Sequence, residues 1–275
     1  MILGAAFLFG LVVGSFLNVC IVRLPEERSI VSPPSHCPRC REQIRWYDNI
    51  PVLSFLALRG RCRNCGLPIS WRYPLVEVLN GLLWLWTVFE FGISGEALVA
   101  MALCSSLLVI TFIDLDHQII PDVITLPGMV IGLAVAPLFM TPLAQPLPLP
   151  LGRLLPHAGP YLAALLNSLI GLLAGGVPLL LIGWLWQKLR GVEAMGGGDV
   201  KLMGMVGSIL GWQGAVMTVM VGAFAGSAVG ITLIALKRQK ADQHIPFGPF
   251  LALGALITLF RGFELRDWYL GMFGL

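Results

Sequence analysis

Four cysteines stand as two pairs, Cys37-Pro-Arg-Cys40 and Cys62-Arg-Asn-Cys65, separated by residues 41–61. Two residues between paired cysteines let both thiolates face one tetrahedral ion, and the short turns present backbone donors to the sulfurs. Four thiolates leave no open position, so zinc held here would be structural rather than catalytic. Two disulfides are the rival reading, and a reducing cytoplasm disfavours them. Cys20 and Cys104 lie in apolar runs and read as small buried hydrophobes.

The second group with chemistry is acidic. Asp114, Asp116 and Asp122 cluster in Phe112-Ile113-Asp114-Leu115-Asp116-His117-Gln118-Ile119-Ile120-Pro121-Asp122. Asp114 directly follows an apolar run. Asp122 follows Pro121, where a helix can begin, and reads as a cap or first-turn acid. Asp116 and His117 read as solvated. The other acid closes Gly196-Gly197-Gly198-Asp199, where glycines let the backbone approach a partner closely. Asp114 and Asp199 lie 85 positions apart, so only folding can join them. Two carboxylates a few ångströms apart do not both ionise easily. One keeps a proton while the other takes a proton from water, and that water attacks a carbonyl. His36, His117, His157 and His244 have no evident nucleophile beside them.

The elements that position these groups are membrane helices. Charged residues make up 12% and hydrophobic residues 57% of the 275, and the mean hydropathy is +0.83. A soluble chain carries about 25% charged residues. Apolar runs predict eight spans, near 2–22, 75–91, 96–113, 122–140, 161–187, 200–211, 212–236 and 246–260, since a membrane helix needs roughly 20 apolar residues. Gly211 to Gly214 reads as a tight turn or a kink. Gly222, Gly226 and Gly230 read either as a close-packing stripe or as ordinary membrane-helix composition.

Nine of the 18 basic residues lie between Arg23 and Arg72. The positive-inside rule places this segment in the cytoplasm, in preference to a nucleic-acid-binding role. The same orientation puts 114–122, 188–201 and 237–245 inside, and the Pro-rich loop 141–160 outside without regular structure. No basic residue precedes the first apolar run, so it reads as a retained span rather than a signal peptide. The expected architecture is all-α, a polytopic membrane bundle of about eight spans. It divides into a first span (1–22), a four-cysteine zinc-ribbon-like loop (23–74) and a membrane core (75–275).

In order along the chain, these motifs resemble the bacterial type IV prepilin peptidases, the bifunctional leader peptidase/N-methyltransferases of the GxGD class of intramembrane aspartyl proteases. Gly14-Ser15-Phe16-Leu17-Asn18-Val19-Cys20 with Arg23-Leu24-Pro25 is similar to the family's N-terminal motif. The cysteine pairs, the Asp114 to Asp122 segment and Gly196 to Asp199 follow. The resemblance implies that Asp114 and Asp199 are the catalytic pair, with Gly196, Gly198, Asp122 and Lys201 supporting the site. It implies prepilin and pseudopilin substrates, cleavage on the cytoplasmic side of the inner membrane, and membrane lipid as surroundings, with no nucleic-acid partner. It also implies N-methylation of the new N-terminal residue from S-adenosylmethionine. The basic loop and Glu77 are candidate contributors to that activity, although no glycine-rich nucleotide motif is present. Two departures stand out: Gly197 occupies a position where a larger residue is common, and the connection between the fourth and fifth spans is long. A peptidase without methyl transfer is one alternative. A transporter using the acids as ion sites is another, but it leaves the cysteines without a role.

Overall fold

The computed structural model describes residues 1–135, 138, 159–191, 196–236 and 246–272. Residues 141–158 of the predicted outer loop 141–160, the inner segment 237–245 with its basic residues, His157 and His244 lie outside the described residues. Two compact units are resolved, Met1–Ile113 and Asp114–Leu275.

The first unit is built on α1 (Ile2–Arg23), a short α2 (Leu53–Ala57), α3 (Arg72–Phe91) and most of α4 (Gly95–His117). Helix α1 is nearly all apolar and ends at Leu24-Pro25, where proline cannot continue the hydrogen-bond ladder. Its 22 residues reach about 33 Å, enough for the hydrocarbon core. Helices α1 and α3 meet backbone to backbone. A Cβ at Gly10 would lie 2.8 Å from Gly81 Cα, and one at Gly14 would lie 2.7 Å from Glu77 Cα. Lipid tails give no hydrophobic drive between helices, so close packing and polar links hold them. The fully buried Asn80 supplies such a link. It donates to Gly10 O at 2.7 Å and accepts from Ser105 Oγ at 2.8 Å, while Trp84 donates to the same hydroxyl at 3.0 Å.

The second unit holds α5 (Asp122–Ala134), α6 (Pro160–Arg190), α7 (Gly197–Ala235) and α8 (Gly248–Met272). Here too glycine sets the packing. A Cβ at Gly171 would fall on the Gly207 carbonyl, and one at Gly175 on the Met203 carbonyl, so α6 and α7 touch along their backbones. In the predicted stripe on α7, Gly222 lies against the Phe250 backbone and Gly226 against its ring.

Among the described residues, six helices are long and apolar enough to cross a membrane: α1, α3, α4, α6, α7 and α8. The eight expected spans map onto fewer helices for two reasons. Only 13 residues of the 122–140 run form the described helix α5. The runs 200–211 and 212–236 fall in the single 39-residue stretch α7, broken at Gly211 (φ 74°, ψ 178°). Gly211 is in a conformation that side-chain-bearing residues avoid, and Asn167 lies 2.9 Å from where its Cβ would be. Helix α8 runs past residue 260 to Met272. Its continuation is polar and carries the Arg261–Glu264 pair at 3.0 Å, so hydropathy marked the apolar portion and not the helix end.

Candidate functional site

Asp114 sits in the last turn of α4, only 5% exposed. Its Oδ2 accepts a hydrogen bond from the Gly248 amide at 3.0 Å, at the start of α8. Asp199 sits half-buried in the first turn of α7, its own amide donating to Gly196 O at 3.1 Å. Gly198, next to Asp199, packs against Ile120, which also packs against Gly248. Three chain segments therefore converge: the end of α4, the start of α7 and the start of α8.

Ile120 is the spacer among them. A Cβ on Gly198 would lie 2.9 Å from Ile120 Cβ. A Cβ on Gly248 would lie 3.3 Å from Ile120 Cδ1 and 2.6 Å from Asp114 Oδ2. Both glycines are required by close approach. Around Gly197 there is open space, so a larger residue fits there and the glycine at this position changes nothing in the packing. Gly196 precedes α7 in extended conformation, and a Cβ there would come no closer than 4.0 Å to Asp199 Oδ2.

The remaining acids separate by partner. Asp122 begins α5 and binds Lys201 Nζ through both oxygens, at 2.8 and 2.7 Å. Its charge is thus neutralised by the cation one turn into α7. Asp116 and His117 are exposed. Of the acids in the segment 114–122, Asp114 is the buried one, and it is the one bonded to the start of α8. Sequence reading missed Gly248. Its setting, Pro246-Phe247-Gly248-Pro249, gives no sign in one chain that its amide faces an acid 134 positions away.

The cysteine centre lies in the first unit. The four sulfurs all lie within 4.8 Å of one another and could hold a metal ion. Cys37 and Cys65 are 3.7 Å apart, and Cys40 and Cys62 are 4.0 Å apart. Zinc–sulfur bonds of about 2.3 Å in a tetrahedron require sulfurs ~3.8 Å apart, so the donor set fits that ion. No disulfide joins them.

The two pairs are copies of one knuckle. The Cys37 amide donates to Glu42 O and the Ile44 amide to Ser35 O; the Cys62 amide donates to Leu67 O and the Ile69 amide to Gly60 O. Each knuckle carries one isolated bridge, His36 with Gln43 and Arg61 with Pro68. Equivalent positions Arg41 (φ 57°) and Gly66 (φ 70°) both turn left-handed. Amides at Cys40 and then Arg39 bring the Cys37 thiol down to about 6. At Cys65 the Leu67 amide acts in the same direction, but burial and thiol hydrogen bonds to the other sulfurs win and push it up to about 11. A metal ion is held by thiolates, so its binding releases thiol protons.

Comparison with known proteins fits both parts of this architecture. Residues 8–91 match the family described as the bacterial peptidase A24 N-terminal domain, and residues 101–231 match the type IV leader peptidase family. The prepilin leader peptidase/N-methyltransferase of Burkholderia pseudomallei (strain 1026b) is 38% identical, with 94% of this chain and 85% of the relative covered. The chain belongs to the type IV leader peptidase family. Two other members bearing the same name, from Myxococcus xanthus (strain DK1622) and Pseudomonas aeruginosa PAO1, are 42% and 35% identical. The alignments cover 89% of this chain and 69% of the first, and 97% and 93% for the second. No solved structure matches the chain. Within the leader peptidase match lie both Asp114 and Asp199, and within the N-terminal match lie all four clustered cysteines.

Proposed function

We propose that the chain cleaves the leader peptides of type IV prepilins and pilin-like pseudopilins, with Asp114 and Asp199 as the catalytic pair. The observation that carries the reading is the convergence of two helix-end acids from distant parts of the sequence. One is anchored by the Gly248 amide, while Asp122 is taken up by Lys201.

Two neighbouring carboxylates titrate as one unit and hold one proton between them. The ionised member takes a proton from a water molecule, which adds to the scissile carbonyl. The protonated member polarises that carbonyl and then gives its proton to the leaving amine. No covalent intermediate is needed. Gly198 and Gly248 leave backbone, not side chains, against Ile120 and Asp114, which lets the three segments come close enough for the pair to form.

The chain also N-methylates the new N-terminal residue from S-adenosylmethionine, as the names of its relatives indicate. It lies in lipid in the inner membrane, with the cysteine loop and both aspartates on the cytoplasmic side. The four cysteines hold structural zinc that fixes the two knuckles to each other. In this reading the loop 23–74 and the core 75–275 are the functional divisions.

Co-expression with a prepilin tests the central claim. Asp114→Asn and Asp199→Asn each abolish leader removal while the protein remains membrane-inserted. Wild-type processing by either variant removes the assignment. The mass of the processed N-terminus reports methylation separately.

A further inference from the structure

The motif Gly14 to Arg23 takes no part in the aspartate site, yet it builds one wall of a cavity within the first unit. The cavity measures ≈ 310 Å³, at the lower end of the range for small-molecule sites. Its lining includes Ser15, Asn18, Arg28, Phe55, Tyr73 and Glu77.

Glu77 is the unusual member. It is only 7% exposed, in the second turn of a membrane helix. An acid at such a position is expensive and by default marks function. Its Oε2 accepts the Val52 amide at 2.8 Å, and Ser15 hydrogen-bonds to it as well. Among the described residues no lysine or arginine forms an ion pair with it. Val52 is itself strained: a β-branched residue held at φ 59°, a conformation that persists where the surroundings impose it, often at functional sites. Asn18, fixed by its bond to Tyr73 O at 3.1 Å, and Arg23, bound to Ser29 O and Pro33 O at 2.9 and 2.7 Å, tie this wall to the loop.

A buried carboxylate without a cationic partner suits a cationic ligand. The cavity is also lined by Arg28, which pairs with Glu26 at 2.6 Å, and by two aromatic rings, Phe55 and Tyr73, for a flat heterocycle. One small molecule combining a positive sulfonium, an amino acid group and a purine is the methyl donor. We propose that this cavity binds S-adenosylmethionine, with the Glu77 carboxylate facing its positively charged groups. The proposal rests on the methyltransferase reading and is independent of the aspartate pair.

The test is binding to the full-length, zinc-loaded protein in detergent, measured by calorimetry with S-adenosylmethionine and with S-adenosylhomocysteine, which lacks the sulfonium charge. The wild type binds the charged compound more tightly. Glu77→Gln weakens it at least tenfold and removes most of the preference between the two. Unchanged affinity and preference in a variant with native zinc content overturn the proposal. Should that variant fail to fold, ultraviolet cross-linking of labelled S-adenosylmethionine to the wild type decides. Label in peptides spanning residues 15–28 or 71–77 supports the site, and label confined to residues 114–275 overturns it. A wild type that cleaves prepilin and binds neither compound overturns this inference and leaves the peptidase reading intact. Binding through Glu77 without cleavage does the reverse.

Discussion

The Gly248 amide donates to Asp114 Oδ2 at 3.0 Å, and the missing side chain of Gly248 is what allows it. A Cβ there would stand 2.6 Å from the same oxygen, so Gly248→Ala must displace either α8 or the carboxylate. Misplacing a reacting group by about 1 Å can cost roughly 10²-fold in rate. Gly248→Ala should therefore lower kcat/KM for prepilin cleavage by roughly 10- to 100-fold, about 1.4–2.7 kcal/mol of barrier. The check is cleavage kinetics alongside a thermal unfolding curve. Wild-type kinetics would show that this contact does not position the acid.

Asp122 and Lys201 give a contrasting case. Both side chains are substantially exposed, 51% and 42%, and an exposed ion pair contributes about 0–1 kcal/mol. Asp122→Asn should lower cleavage by no more than roughly fivefold, since ~1 kcal/mol corresponds to that factor. The exchange Asp122→Lys with Lys201→Asp should recover much of any loss. Complete inactivation by Asp122→Asn, with Asp114→Asn still active, would reverse their roles.

The groups with costly chemistry were the legible ones. Paired cysteines and acids beside apolar runs announce themselves by residue type, and hydropathy located the membrane helices that carry them. The choice of Asp114 over Asp122 rested on family resemblance; the Lys201 contact adds a physical reason for it. What stayed hidden is glycine's work at a distance. Gly171, Gly175 and Gly207 join α6 to α7, yet in sequence they look like the Gly222–Gly226–Gly230 run, of which Gly222 and Gly226 meet α8 instead. The knuckle repeat was readable and passed over: Cys-x2-Cys-x3-Ile occurs at Cys37–Ile44 and again at Cys62–Ile69.

That repeat makes a stability prediction. Arg41 and Gly66 occupy the same left-handed position, and nothing lies within 4 Å of a Cβ at Gly66. Backbone conformation alone thus separates them. A residue with a side chain pays roughly 1 kcal/mol in that region. Arg41→Gly should slow metal loss to a chelator, and Gly66→Ala should speed it, each by about fivefold, the factor for ~1 kcal/mol. Equal release rates in wild type and both variants would mean that the knuckle turns do not limit opening of the site.

The loop has a second anchor, and its pH behaviour follows from its charges. Arg63, between Cys62 and Cys65, grips Asp48 through Nε at 3.0 and 2.9 Å and through Nη2 at 2.6 Å. These hydrogen bonds, then the Arg63 charge, hold the Asp48 carboxyl below its ordinary value of 3.8. A depressed acid adds stability that is complete above its unfolded pKa and fades only as pH falls through the lower folded value. Between pH 5 and 8 the contribution is therefore constant. Asp48→Asn should lower the Tm, and by the same amount at pH 5, 6.5 and 8. Thermal unfolding of the zinc-loaded protein at those three values provides the measurement. A difference that shrinks toward zero at pH 5 would place the Asp48 transition inside this window and rule out the Arg63 grip as its cause.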